Sequence, residues 1–373
     1  MIQSAIQLTG VTKGSFCDFF AGSGVVSRLA KSMGFRTIAN DWEPYAETIN
    51  LAYIQTNHPP RFAKLGGMKS AIETLNSLTS VRGYIASHYC PADDENPDFE
   101  SERMFYTQEN GQRIDAIREQ IEVWQHDGLI NEQERAVLLA PLIYQASYCS
   151  NTSGVFKGFH RGWGGRTSTA LYRIRSKLTL SPPLFCDNGQ DNLAVKEDAT
   201  LLADRIKCDI AYIDPPYNQH QYGANYHLLN TIALWDKPQV TRYIRTGVGQ
   251  KGKSAIRLDW RTARRSPYCY ASTALPAFSN LLARIHARYV LISYSTDGII
   301  PIDNLLGVLA QKGHLSVITR HYKRYRVSSQ RPSHRSHTVE FIAIVDTSAQ
   351  SEPHNIEKTI EQIRNAELSQ QSY

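Results

Sequence analysis

Two short segments of this 373-residue chain carry side chains whose types and spacing could do chemistry. The more telling is Ile210-Ala211-Tyr212-Ile213-Asp214-Pro215-Pro216-Tyr217, an apolar run that leads straight into an acid, two prolines and a tyrosine. Such a run reads as a buried strand, which places Asp214 at the strand end, where α/β sheets bind ligands. A strand closed by a rigid Pro-Pro turn with a packed tyrosine would also use these residues, but it leaves Asp214 unexplained. The chemistry these residues suit is activation of an exocyclic amine such as that of adenine, whose lone pair is delocalised into the ring. The Asp214 carboxylate and the Pro215 carbonyl can both accept hydrogen bonds from the amine, freeing the lone pair for attack. Pro216 completes the rigid turn, and Tyr217 offers an aromatic face on which an unstacked base can rest. Neither a metal nor a covalent intermediate is required.

The second segment is Asp18-Phe19-Phe20-Ala21-Gly22-Ser23-Gly24. A strand that breaks at small residues and opens a helix lets a ligand approach backbone N–H groups closely. Gly22 and Gly24 can take torsions closed to other residues. A plain strand-to-helix turn would use the same residues. Asp41 follows at the end of the next strand, where nucleotide-binding folds place an acid on ribose hydroxyls. It would serve equally as a helix N-cap. Together the two features favour a cofactor that contains a nucleoside.

The elements that must position these groups alternate. Ser15–Phe20 reads as a strand, Val25–Met33 as a helix stopped by Gly34, Arg36–Ala39 as a strand ending at Asn40-Asp41, and Pro44–Ile54 as a helix. This is a βαβ unit. Further strands are expected at 194–195, 211–213, 289–293, 315–318 and 339–345, whereas Gln108–Ala146 has helical spacing throughout. The reading is an α/β domain built from residues 1–57 and 191–347, interrupted by a mainly helical insertion over 58–190. A polar tail, 348–373, follows as a solvated helix or a frayed end.

Composition narrows the class. Hydrophobic residues make up 42% and charged residues 20%, enough for a sizeable core and against a wholly disordered chain. No stretch approaches a membrane span, and the first residues lack the layout of a secretion signal. The six cysteines form no Cys-x-x-Cys pair, so neither a disulfide framework nor a zinc site is expected, and a reducing cytoplasmic setting is. The formal charge of +6 hides segregation. Residues 93–134 are acid-rich, while 151–177 and 320–337 are basic without an acid, and 242–265 carries only Asp259 against its cations. The basic segments suit nucleic-acid phosphates, though any one of them would serve as a surface loop; the acidic stretch reads as a solvated face or a subunit contact.

With the glycine-bearing segment first, a long insertion, and then Asp214-Pro215-Pro216-Tyr217, the chain resembles the S-adenosylmethionine-dependent DNA amino-methyltransferases. It is most similar to the N6-adenine class, in the alpha order of motifs. The resemblance covers about residues 14–55 and 190–346. It implies a Rossmann-like methyltransferase fold: a central, mostly parallel sheet with a C-terminal antiparallel hairpin, plus the inserted helical domain as the target-recognition part. It also implies S-adenosylmethionine as cofactor, held by 18–24, by Asp41 with Trp42 beside it, and by Asp198-Ala199. Double-stranded DNA is the implied partner, through Arg161, Arg166, Tyr222, Asn225, Tyr226, Lys251, Lys253, Lys323, Arg324 and Arg326. A cognate restriction endonuclease is a further partner; no metal and no membrane are. The same tetrapeptide would serve adenine in structured RNA, or survive in a catalytically dead nucleic-acid-binding relative. Cytosine-N4 methylases tend to carry Ser where Asp214 stands.

Overall fold

The computed structural model describes residues 1–165, 168–244, 252–257, 260–323 and 337–368. The chain divides into two compact units, one of Met1–Trp42, Cys186–His220 and Ser266–Tyr373, the other of Glu43–Phe185 and Gln221–Arg265. Residues 43–57 and 221–265, read from the sequence as part of the α/β domain, thus fall in the second unit.

The first unit is built on seven strands: β1 (Ser15–Asp18), β2 (Arg36–Asn40), β3 (Leu193–Val195), β4 (Lys207–Ile213), β5 (His286–Ser295), β6 (His314–Lys323) and β7 (His337–Asp346). Their order is β3-β2-β1-β4-β5-β7-β6. The first five run parallel, and β7 is antiparallel to both β5 and β6. This is the mostly parallel, doubly wound sheet with an antiparallel end that defines a Rossmann-like methyltransferase fold. The order reverses between β1 and β4, and their C-terminal ends form the switch point at which doubly wound sheets bind ligands.

Both faces of the sheet are covered, as a parallel sheet requires. On one face Phe16, Ile210, Leu291 and Ile342 pack with Ile6 and Ala30 from helices Ile2–Leu8 and Val25–Ser32. On the other, Ile213, Val290 and Phe341 pack with Leu202, Phe278 and Leu305. Helix Val25–Ser32 begins after Gly24 at φ 74° and stops before Gly34 at φ 90°, both in the left-handed region that suits glycine. The polar segment after Asp346 contributes more than a solvated end: helix Pro353–Leu368 buries Ile363 in the second of these cores.

In the second unit the long helical stretch is two helices, Gln108–His126 and Glu132–Tyr148. Gly128 turns the chain at φ 64°, and Asn131 with Glu134 forms a capping box that starts the second helix. The hydrophobic periodicity runs on through the break, so spacing alone merged the two. Arg103, 1% exposed, faces no carboxylate; it donates to carbonyls of His88, Thr241, Arg242, Gly252 and Lys253 and to the Thr241 hydroxyl. The acidic stretch is not simply a solvated face or a subunit contact. Glu95 and Glu100 each lie 3.4 Å from a cation of the basic segment, Arg175 and Arg161 respectively. Among the described residues, no helix is long and apolar enough to cross a membrane.

Candidate active site

The site lies in the first unit, where β1, β2 and β4 end. Asp18 closes β1 opposite Tyr212 of β4, and Asp214 follows directly on the last residue of β4. The two carboxylates therefore share the face of the sheet on which alternate residues of β1 and β4 point. Backbone bonds set the turn between β1 and its helix: the Phe19 N–H donates to Tyr212 O (3.0 Å), and the Ala21 N–H to Asn40 O (2.8 Å). Phe19 is buried, Phe20 half-buried and Ser23 exposed. Gly22 has φ 52°, its N–H donates to Asp41 Oδ2 at 2.7 Å, and a Cβ built there would meet nothing within 4 Å. Asp41 thus grips the glycine turn and is not a side-chain cap of helix Pro44–Asn50, whose N-cap is Glu43.

Asp18 is 1% exposed. Its Oδ2 accepts from Ser27 Oγ at 2.7 Å, and its Oδ1 is buried without a hydrogen-bond partner. Burial pushes its carboxyl up to about 7, the charges of Asp214 and Asp41 adding to the rise while the Ser27 hydroxyl opposes it. An orphaned carboxylate oxygen in a turn with open space beside Gly22 fits a ligand that brings a cation. The donor set therefore suits a nucleoside-bearing group with an ammonium to place on Asp18.

Asp214 is likewise pushed up to about 7, first by burial and then by the charge of Glu340, against a hydrogen bond from Tyr212 that favours the carboxylate. Pro215 and Pro216 fix the chain that follows. The Tyr217 ring meets Tyr294 edge-on, with centroids 6.2 Å apart. Ile299 N–H donates to Tyr217 O (2.9 Å) and Ile300 N–H to the Tyr294 hydroxyl (2.9 Å), so the loop after β5 holds both tyrosines. Gly298 permits this: a Cβ there would lie 2.2 Å from the Tyr294 ring.

Several positioning residues carried no sequence signal. Asn40 donates to Phe19 O (3.1 Å) and Glu197 O (3.2 Å) and accepts from Glu197 N–H (3.1 Å), tying the ends of three strands together. Ser27, Tyr268 and Tyr294 are the others; the Phe20 and Tyr268 rings meet at 5.3 Å. Asp198 caps helix Ala199–Arg205 through Thr200 N–H at 2.8 Å, and burial first, then the Asp198 charge, push the Tyr268 hydroxyl up. Ala199 is buried and Trp42 is 37% exposed.

The expected nucleic-acid contacts are scattered. In the second unit, Arg161 pairs with Glu100, the Lys253 ammonium lies 5.6 Å from the centre of the Phe159 ring, and Asn225 is buried with its carbonyl taken by Phe156 N–H. Tyr226 is half-buried between Tyr45 and Tyr222. In the first unit Lys323 ends β6. Arg166, Lys251, Arg324 and Arg326 lie outside the described residues. Among the described residues, no group of three or more His, Cys, Asp or Glu could hold a metal ion.

The profile of the D12 class N6 adenine-specific DNA methyltransferases matches residues 1–255. Type II methyltransferase M.NlaIII of Neisseria lactamica is 33% identical over 333 residues, 89% of this chain and 90% of that protein. Type II methyltransferase M.FokI of Planomicrobium okeanokoites is 32% identical over 87% of this chain, and modification methylase StsI of Streptococcus sanguinis 29% over 94%. The chain spans about half the length of these last two, 48% and 50%. The chain belongs to the D12 class of N6 adenine-specific DNA methyltransferases.

Proposed function

We propose that the chain transfers a methyl group from S-adenosylmethionine to N6 of adenine at a specific site in duplex DNA, as the cytoplasmic modification partner of a cognate restriction endonuclease. One observation carries the chemistry: two carboxylates raised to about 7, Asp18 and Asp214, stand on neighbouring strand ends at the switch point, and an oxygen of Asp18 has no partner. A buried carboxylate oxygen without a partner, as in Asp18, makes sense where a ligand completes it. The presence of relatives named as type II methyltransferases or modification methylases supports the restriction–modification setting.

In this reading Asp18 takes the ammonium of the donor, and residues 19–24 wrap it closely through backbone groups. Asp41, next to Trp42, takes the ribose hydroxyls, while Asp198 and Ala199 flank the donor's adenine. The donor supplies an electrophilic methyl group on a positively charged sulfur. The target adenine leaves the helical stack and rests on Tyr217. Asp214 and the Pro215 carbonyl accept its two N6–H bonds, which localises the lone pair on nitrogen and aligns it for in-line attack. Pro216 keeps the turn rigid. Phosphate and base contacts are assigned to Arg161, Arg166, Tyr222, Asn225, Tyr226, Lys251 and Lys253, and to Lys323, Arg324 and Arg326 of the hairpin. The second unit then supplies most of the recognition.

Sequencing of modified bases in DNA from cells that express the chain tests this reading. N6-methyladenine at a single recurring sequence is expected. Methylation confined to ribosomal RNA, or to cytosine, would overturn it.

A further inference from the structure

Glu340 belongs to none of the motifs, yet the strand registers carry it to Asp214. Tyr212 pairs with Leu291, so Tyr212 and Asp214 share a face with Leu291, Ser293 and Ser295 of β5. Ser295 pairs directly with Glu340 of β7, and Glu340 with Arg320 of β6. One face of the sheet therefore bears, at its C-terminal edge, Asp18, Tyr212, Asp214, two serines, Glu340 and Arg320. Two residues further in along each strand the same face is apolar, at Ile210, Leu291 and Ile342. Glu340 is partly buried, and its charge is the largest electrostatic influence of any side chain on Asp214. Two like charges set near each other in a partly dry site are costly.

We propose that Glu340 is a positioning residue for methyl transfer: its negative charge, two strands away on the same face, strengthens Asp214 as acceptor first of the hydrogen bonds and then of a proton of the target amine. This rests on the reading that Asp214 holds that amine. As the nitrogen takes the methyl group, the donor's carbon–sulfur bond breaks and leaves its electron pair on sulfur. The nitrogen then sheds one proton, which passes to the Asp214 carboxylate and from there to water. An acceptor with no second carboxylate beside it would bind that proton less well. The other groups that face Asp214 are Asp18 on β1, itself raised in part by the Asp214 charge, and Tyr212 on β4, which opposes by its hydrogen bond. Arg320 is the cation in register with Glu340, on β6.

The test compares Glu340→Gln, Glu340→Asp and Arg320→Met with the unaltered protein, and uses Asp214→Asn as the control on the reading itself. In Glu340→Gln the acidic limb of kcat/KM moves to lower pH by about one unit, and kcat at pH 8 falls by roughly threefold. Glu340→Asp keeps the original profile. Arg320→Met, altered at an exposed position, moves the limb the other way. A readout without substrate runs in parallel: the loss of thermal stability between pH 5 and pH 8 becomes smaller in Glu340→Gln, because less energy is then spent on ionising Asp214. If Asp214→Asn is inactive while neither the limb nor the stability profile moves in Glu340→Gln and Arg320→Met, the inference is overturned and the reading of Asp214 stands. If Asp214→Asn transfers methyl groups at the original rate, both fall together.

Discussion

Asp18 and Asp115 are almost equally buried, at 1% and 0% exposure, one in each unit. Asp115 accepts from three backbone N–H groups, of Gly83 (3.0 Å), Ile85 (2.8 Å) and Ala86 (2.9 Å), and so satisfies the start of a short helix. Asp18 takes the Ser27 hydroxyl on Oδ2, with the Phe20 N–H also favouring its charged form, and leaves Oδ1 without a partner. Arg103 repeats the pattern of Asp115 with opposite charge, its guanidinium shared among six neutral acceptors. Asp115 and Arg103 are thus each closed upon themselves and hold chain segments in place, whereas Arg118 of the same unit pairs with Glu122 but keeps Nη1 without a partner. Asp18, at a strand end of the first unit, is left open on one oxygen, and an open buried charge is costly unless a ligand completes it.

The largest contrast to expect is between Asp18→Asn and Asp115→Asn. Loss of the Asp18 charge weakens binding of S-adenosylmethionine by roughly 100-fold, the loss of a charge-assisted hydrogen bond. The same change stabilises the fold at pH 8. The folded carboxyl sits at about 7, above its ordinary value of 3.8, so its contribution is intact below pH 4 and is lost as pH rises through 7; asparagine has no such loss. Asp115→Asn instead lowers stability by about 2 kcal/mol, since an amide cannot accept from three N–H groups, and leaves donor affinity unchanged. Calorimetric titration and thermal melts at pH 5 and pH 8 read both. If the two variants behave alike, the distinction fails.

A smaller effect sharpens the picture inside the open site. Gly298→Ala forces a methyl group against the buried Tyr294 ring and displaces Tyr217 with it, costing about tenfold in methyl transfer and roughly 1–3 kcal/mol in stability through overpacking. Steady-state kinetics beside a thermal melt would show it, and unchanged kinetics would mean that Tyr217 does not depend on its neighbour. Smallest of all is Glu100→Gln. The Arg161–Glu100 pair is exposed on both sides, so its removal changes stability by less than about 0.5 kcal/mol while it frees a cation. A steeper salt dependence of DNA binding follows if Arg161 meets phosphate; an unchanged slope would remove Arg161 from the interface.

Much of the first unit was legible because its signals are local. The glycine turn after β1, the strand into Asp214 and the rigid Pro-Pro step each lie within a few residues, and element order alone announced the parallel sheet. What escaped depends on register between distant segments. Glu340 lies 126 positions beyond Asp214 by the sequence numbering, and only the pairing of β5 with β7 brings it onto the same face. Asn40 looked like a strand end, although its side chain spans three strands. The second unit hid its hubs more thoroughly: Arg103 sits in an acid-rich stretch with nothing beside it in sequence to mark it as buried. Segment charge also misled, for the acids at 95 and 100 partly neutralise the basic segment instead of standing apart from it.

On the reading proposed above, Asp214, which directly follows β4, acts on the amine to be methylated. Single-turnover methyl transfer to duplex DNA by Asp214→Asn, with S-adenosylmethionine binding measured on the same preparation, tests it most directly. The account predicts donor binding within about threefold of the unaltered protein and a transfer rate reduced by at least about 1,000-fold. Transfer at the original rate, with the donor bound as before, would contradict it.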